Sequence, residues 1–202
     1  LWVVDTTGSM NEELASLKSG FVELVEDLNN EQLNYQVGVV TTDMSLDAGT
    51  LYGNPWIITS ELDDPSESFA DAVDSLPASV DGEAGLASFI AALSEPNLSG
   101  ANRGFRRDDA ALHVIVVSDS DDQSDEYLNG TPEVEADKFL TEEALRTGLP
   151  AWLSAVVGPE PLGCVGQGGA VVGSAYIAVA EVSGGEVLSI CEPDLTELFG
   201  GL

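Results

Sequence analysis

The run Leu112-His113-Val114-Ile115-Val116-Val117 constrains the fold more than any other segment. A strand with one wet face alternates apolar and polar residues, but this run is apolar almost throughout. Such a strand needs cover on both faces, which a parallel sheet flanked by helices provides. The rest of the chain supplies matching parts. Residues 1–4 are an apolar run ending in Asp5. Leu14, Leu17, Phe21, Leu24, Val25 and Leu28 then recur at helical spacing, and Asn29-Asn30 closes that helix. Residues 35–40 read as a second strand. Residues 41–64 are rich in turns, with Gly49, Gly53 and Pro55, and hold a short edge strand over 56–59. Helices are expected over 66–76, with Phe69, Val73 and Leu76 inward, and over 83–93, with Leu86, Phe89, Ile90 and Leu93 inward. After the 112–117 strand come an acidic loop (118–126), a helix (134–146), a strand (151–157), a helix (170–182), a strand (187–190) and a short helix (195–199). Strand and helix alternate from end to end. The expected fold is therefore α/β: a doubly wound, mostly parallel central sheet with helices on both faces, in one domain over 1–202. The opening in mid-strand reads as a fragment of a longer protein.

Composition narrows the function. The chain carries 36 acidic residues against 6 basic ones, a net charge of −30. Such a surface repels nucleic acid and anionic membranes, and it attracts divalent cations. Adaptation to a saline exterior is the plainer explanation, and many calcium sites the sharper one. No apolar run is long enough to span a bilayer, so direct membrane insertion is not expected. Cys164 and Cys191 both lie late in the chain. As a pair in an exterior protein they read as one disulfide, worth about 3 kcal/mol; as a pair in a cytosolic protein they would be free thiols. The glycine-rich surroundings of Cys164 favour the disulfide.

Ligands of open α/β sheets bind beyond the carboxyl ends of strands, where strand order switches. Two such ends are rich in oxygen ligands: Asp5-Thr6-Thr7-Gly8-Ser9 after the first strand, and Ser118-Asp119-Ser120-Asp121-Asp122 after the 112–117 strand. Asp5, Thr7 and Ser9 can point one way from a loop turned at Gly8. One carboxylate and two hydroxyls form half the shell of a hard cation, and a carboxylate from the second loop would complete it. No histidine or cysteine lies near in sequence, which argues against zinc. Helix capping by Ser9 and a merely solvated acidic loop are the structural alternatives.

Asp5-Thr6-Thr7-Gly8-Ser9 after an apolar strand resembles the D-x-S/T-x-S motif of von Willebrand factor A domains, their metal-ion-dependent adhesion site. The order of strands and helices extends the resemblance over nearly the whole chain. The resemblance implies that Asp119 is the family's aspartate after the fourth main strand. It also implies a threonine from a middle loop, but that loop is Asp81-Gly82-Glu83-Ala84-Gly85-Leu86, with Glu83 where the threonine would stand. A glutamate there adds charge and favours calcium over magnesium. The expected site is one divalent cation (Ca2+ or Mg2+, with Mn2+ a third option) on Asp5, Thr7, Ser9 and Asp119, with Glu83 nearby. Asp43 and Asp121 are candidate peripheral ligands, although a turn role suits Asp43 equally. His113 reads as a satisfied core residue, and the three tryptophans as core. The arginine-rich stretch 102–109 pairs with nearby acids or forms a small recognition patch.

The resemblance implies a non-catalytic adhesion or recognition module, extracellular or at the cell surface. Its cation would capture a carboxylate on a protein or surface ligand. Two rivals stand beside it. The Asp5–Ser9 loop also resembles the D-x-T-G-T/S loop of P-type pumps and related hydrolases, where the aspartate is a nucleophile. That chemistry needs a lysine to neutralise phosphate, and only Lys18 and Lys138 exist. Alternatively, the metal merely fixes loops in a structural domain. The sequence specifies neither the oligomeric state nor the partner.

Overall fold

The structure is a computed structural model and describes residues 1–45, 48–79, 82–164 and 169–191. Its centre is a five-stranded parallel sheet. The strands are β1 (Trp2–Val4), β3 (Val39–Thr41), β5 (Leu112–Ser118), β6 (Ala151–Val157) and β7 (Val187–Ser189), in the spatial order β3-β1-β5-β6-β7. A separate two-stranded antiparallel ribbon joins β2 (Gln36–Val37) to β4 (Ile58–Thr59). The helices are α1 (Asn11–Asn30), α2 (Pro65–Asp74), α3 (Gly85–Ala92), α4 (Pro132–Thr147) and α5 (Ser174–Ser183).

Strand residues sort by parity into two cores, because successive side chains of a strand face opposite ways. Val3, Val40, Val114, Val116, Leu153 and Ala155 pack with α3, α4 and α5. Trp2, Val4, Val39, Ile115, Val117 and Val156 pack with α1 and α2. Both faces of the sheet are therefore dry, which is why the 112–117 run lacks polar alternation. Trp2, Phe21 and Phe69 form the centre of the second core, with the two phenylalanine rings stacked at 3.7 Å and Trp2 edge-on to both. Local chemistry sets the ends of the helices. Asp64 caps α2 by accepting the Glu67 N–H at 2.9 Å, and Pro65 opens its first turn. Gly148, at φ 71°, closes α4 in the left-handed region.

The fold departs from the sequence reading in four places. The 35–40 strand is split at Gly38: β2 pairs with β4, whereas β3 pairs with β1. A Cβ at Gly38 would lie 2.6 Å from Leu51 Cδ2, so a side chain there would press on the core. The short strand within 56–59 belongs to this ribbon and not to the edge of the main sheet. The 170–182 helix starts only at Ser174, because Val172 bridges to Gly158 beside β6 and Gly173 sits against Val157. Of the three tryptophans only Trp2 is fully buried; Trp56 is 49% exposed. Trp152 is half-buried and stacks on His113. The helix expected over 195–199 lies outside the described residues. Among those residues, no helix is long and apolar enough to cross a membrane.

Cys164 and Cys191 are joined in a disulfide across a separation of 27 residues. It ties the loop after β6 to the end of β7, and its sulfurs pack on the α1–α2 side of the core.

Candidate functional site

Strand order brings the two oxygen-rich loops together. β1 pairs with β3 on one side and β5 on the other, so the switch in strand order falls beside β1. Asp5 leaves β1 and its N–H donates to the Val117 carbonyl at 2.9 Å. Ser118 and Asp119 leave the neighbouring strand at the same level.

The Asp5 side chain is fully buried. Its Oδ1 accepts the Thr7 N–H at 2.9 Å, and its Oδ2 accepts the Ser118 hydroxyl at 2.7 Å. Burial pushes the Asp5 carboxyl up, and the charge of Asp119 adds to this; the hydrogen bonds from Thr7 and Ser118 offset it only in part. After Thr7 the chain makes one 3-10 turn, Gly8–Met10, and enters α1. The turn brings the Thr7 and Ser9 hydroxyls together at 3.1 Å, at the solvent-exposed mouth of the site. Ser9 makes no side-chain cap on the helix that follows, so capping does not account for it.

Asp119 is 4% exposed. Its Oδ1 accepts the Ser120 hydroxyl at 3.2 Å, and that hydroxyl also lies 3.0 Å from Glu83 Oε1. Its Oδ2 is buried without a hydrogen-bond partner among the described residues. Gln123 holds Glu83 twice: its N–H donates to the Glu83 carbonyl at 2.8 Å, and its side-chain amide donates to Oε2. Glu83 therefore stands on the Asp119 side of the site, bridged to it by Ser120.

Asp43, at the end of β3, is 2% exposed. Its Oδ1 accepts the Ser45 N–H and hydroxyl at 2.8 and 2.6 Å, and its Oδ2 accepts the Ser79 hydroxyl at 2.8 Å. These bonds tie two loops together. Asp121 Oδ1 accepts the N–H groups of Asp122 and Ala175 at 3.0 and 2.9 Å, at the amino end of α5.

What meets at this sheet edge is two aspartates, two loop hydroxyls and a nearby glutamate. Among the described residues, no three histidine, cysteine or acidic side chains form a metal-holding group by themselves. The donor set is thus mixed carboxylate and hydroxyl oxygen, which suits a hard cation. The orphaned Asp119 Oδ2 fits the same ion, because a buried carboxylate oxygen without a donor is costly unless a positive charge faces it. Lys18 pairs with Asp74 at 2.6 Å and Lys138 with Glu135 at 3.7 Å, so neither is committed to Asp5. His113 shares a hydrogen bond with Ser154 at 2.9 Å, and burial lowers its pKa to about 3. It is satisfied and neutral as its sequence context implies, but it is half-buried and stacked on Trp152 rather than in the core. Within the 102–109 stretch Arg106 pairs with Glu143 and Arg107 with Asp109, while Arg103 is exposed; Arg146 of α4 pairs with Glu143 and Asp108.

Sequence reasoning missed Ser118, Ser120 and Gln123. Ser118 carried a faint signal, as the one hydroxyl closing an apolar strand. The other two were hidden within an acidic loop whose residues look alike in sequence.

An open parallel sheet with helices on both faces and a candidate site at its strand switch gives this chain a doubly wound α/β fold, consistent with that of von Willebrand factor A domains. It is similar to the crystal structure of the conserved hypothetical protein BatB from Bacteroides thetaiotaomicron. The TM-score is 0.53 with 17% identity, over 99% of this chain and 92% of that one. At that identity the likeness is one of fold alone. No protein-family model matches the sequence. No curated protein matches it either.

Proposed function

We propose that this chain is a non-catalytic, metal-dependent recognition module working outside the cell or at its surface. Asp5, Thr7, Ser9 and Asp119 would hold one divalent cation, calcium or magnesium with manganese as a substitute, and Glu83 would stand beside it. The observation that carries this reading is the Asp119 Oδ2 next to the Asp5 loop, buried and without a hydrogen-bond partner among the described residues. When bound, the cation supplies an electrophilic centre for a carboxylate on a protein or surface ligand. The chain's own residues do the rest. Ser118 and the Thr7 N–H orient Asp5, while Ser120 and Gln123 orient Asp119 and Glu83. Thr7 and Ser9 leave the outer side of the site facing solvent. The disulfide supports an oxidising compartment.

Calorimetric titration of the chelator-treated protein with calcium and magnesium tests the site. One equivalent should bind to the unaltered protein and none to Asp5→Ala or Asp119→Ala. Thr7→Ala should bind more weakly than the unaltered protein but better than either aspartate variant, because it removes a neutral ligand. Water-proton relaxation with bound manganese tests capture: exchangeable water should be seen on the ion, and added glutarate should displace it. Unchanged binding in Asp119→Ala would refute the assignment.

A further inference from the structure

Helix α3 has no cap of its own. Its N-cap residue is Ala84, with no side-chain cap. Yet three successive N–H groups of its first turn are capped by side chains far away in sequence. The Gly85 N–H donates to the Tyr176 hydroxyl at 3.2 Å, the Leu86 N–H to Asp122 Oδ1 at 3.0 Å, and the Ala87 N–H to the Ser124 hydroxyl at 2.8 Å. These caps are themselves linked. Asp122 also accepts the Ser124 hydroxyl at 2.9 Å and the Ser124 N–H at 3.0 Å. The Tyr176 hydroxyl in turn donates to the Glu83 carbonyl at 3.4 Å. Tyr176 is fully buried. Gly85 makes room for it, since a Cβ there would lie 2.8 Å from the tyrosine oxygen. The residue just before this helix is Ala84, and the one before that is Glu83.

We propose that Tyr176 is a positioning residue for the candidate cation site, pinning the amino end of α3 together with Asp122 and Ser124 and so fixing Glu83 against Asp119. The inference rests on the functional reading above. Free helix N–H groups attract a carboxylate, and Asp122 supplies one from the acidic loop that also carries Asp119. Asp121, next to it, anchors α5 in the same manner. One short stretch, residues 118–124, thereby joins Asp5, Glu83, α3 and α5. Without the Tyr176 hydroxyl, the Gly85 N–H loses its acceptor and the Glu83 carbonyl a donor, so the 82–86 segment gains freedom relative to Asp119. Partners that orient metal ligands are commonly worth about 10–100-fold in affinity. The calcium-to-magnesium ratio should move as well, because magnesium demands a tighter and more regular cage than calcium.

The test is titration of the chelator-treated full chain with calcium and with magnesium, for the unaltered protein, Tyr176→Phe, Asp122→Asn and Leu24→Ala. Leu24 lies in the core on the opposite face of the sheet, so Leu24→Ala controls for general loss of stability. Tyr176→Phe and Asp122→Asn should each bind calcium about 10-fold or more weakly, with an altered calcium-to-magnesium ratio. Leu24→Ala should melt lower yet bind unchanged. If Tyr176→Phe does not fold, Asp122→Asn and Ser124→Ala decide the matter in the same way. Unchanged affinity and ratio in the clamp variants overturn the positioning role alone. An equal loss in Leu24→Ala also overturns it, by showing that stability explains the effect. No cation binding by the unaltered protein removes both this inference and the functional reading.

Discussion

Asp5 and Glu143 show how two buried carboxylates of one chain meet opposite fates. Asp5 has hydroxyl and N–H donors but no cationic partner in its hydrogen bonds, and burial leaves its pKa raised. Burial pushes Glu143 up too, but hydrogen bonds and charge from Arg146 and Arg106 outweigh it, and its pKa lies below the ordinary 4.5. A carboxylate with a lowered folded pKa stabilises the fold above its unfolded pKa, and that contribution fades as pH falls through the lowered value. Glu143→Gln should therefore be less stable than the unaltered protein at neutral pH. The gap should close on acidification below the ordinary carboxylate range. Urea denaturation at a series of pH values checks this, and a gap that widens in acid would contradict it.

Among the elements, α1 and α2 depend on the aromatic cluster that joins them to β1. Phe69 is fully buried, stacked on Phe21 and edge-on to Trp2. Phe69→Ala leaves a void that neither rigid neighbour can fill, and it should cost about 3–5 kcal/mol. The midpoint of a denaturant transition measures that loss. The helical period of α1 and α2 was plain in the sequence because each has one apolar face. The split at Gly38 was not, because β2 and β3 share one apolar run and differ only in the strand they pair with. The caps of α3 were equally hidden: Tyr176 lies 91 residues from the Gly85 that it caps.

Across the whole molecule, the charge of −30 repels itself in the folded state more than in the expanded one. Screening shortens to about 3 Å in 1 M salt from about 30 Å in 0.01 M. The melting temperature should therefore rise with sodium chloride over that range, even with divalent cations chelated. A fall would mean that attractive ion pairs, such as those of Arg106 and Arg146, outweigh the repulsion. The disulfide adds about 3 kcal/mol by restricting the unfolded chain, and reduction should lower the melting temperature. Its position at the end of β7 fastens the edge of the sheet farthest from β3.

The sequence by itself determined the class of fold. Apolar runs without alternation demand a sheet covered on both faces, and helical periods between them provide the cover. It also pointed to the two oxygen-rich loops, since Asp5 and Asp119 each follow an apolar strand. The tertiary structure alone decided that these loops meet, because periodicity reports how buried an element is and not which element lies beside it. Pairing of β1 with β5 sets Ser118 on Asp5. Folding of the acidic loop then separates residues that sequence leaves equivalent. Asp119 keeps an oxygen without a partner among the described residues, while Asp121 and Asp122 are turned to helix N–H groups contributed by distant segments.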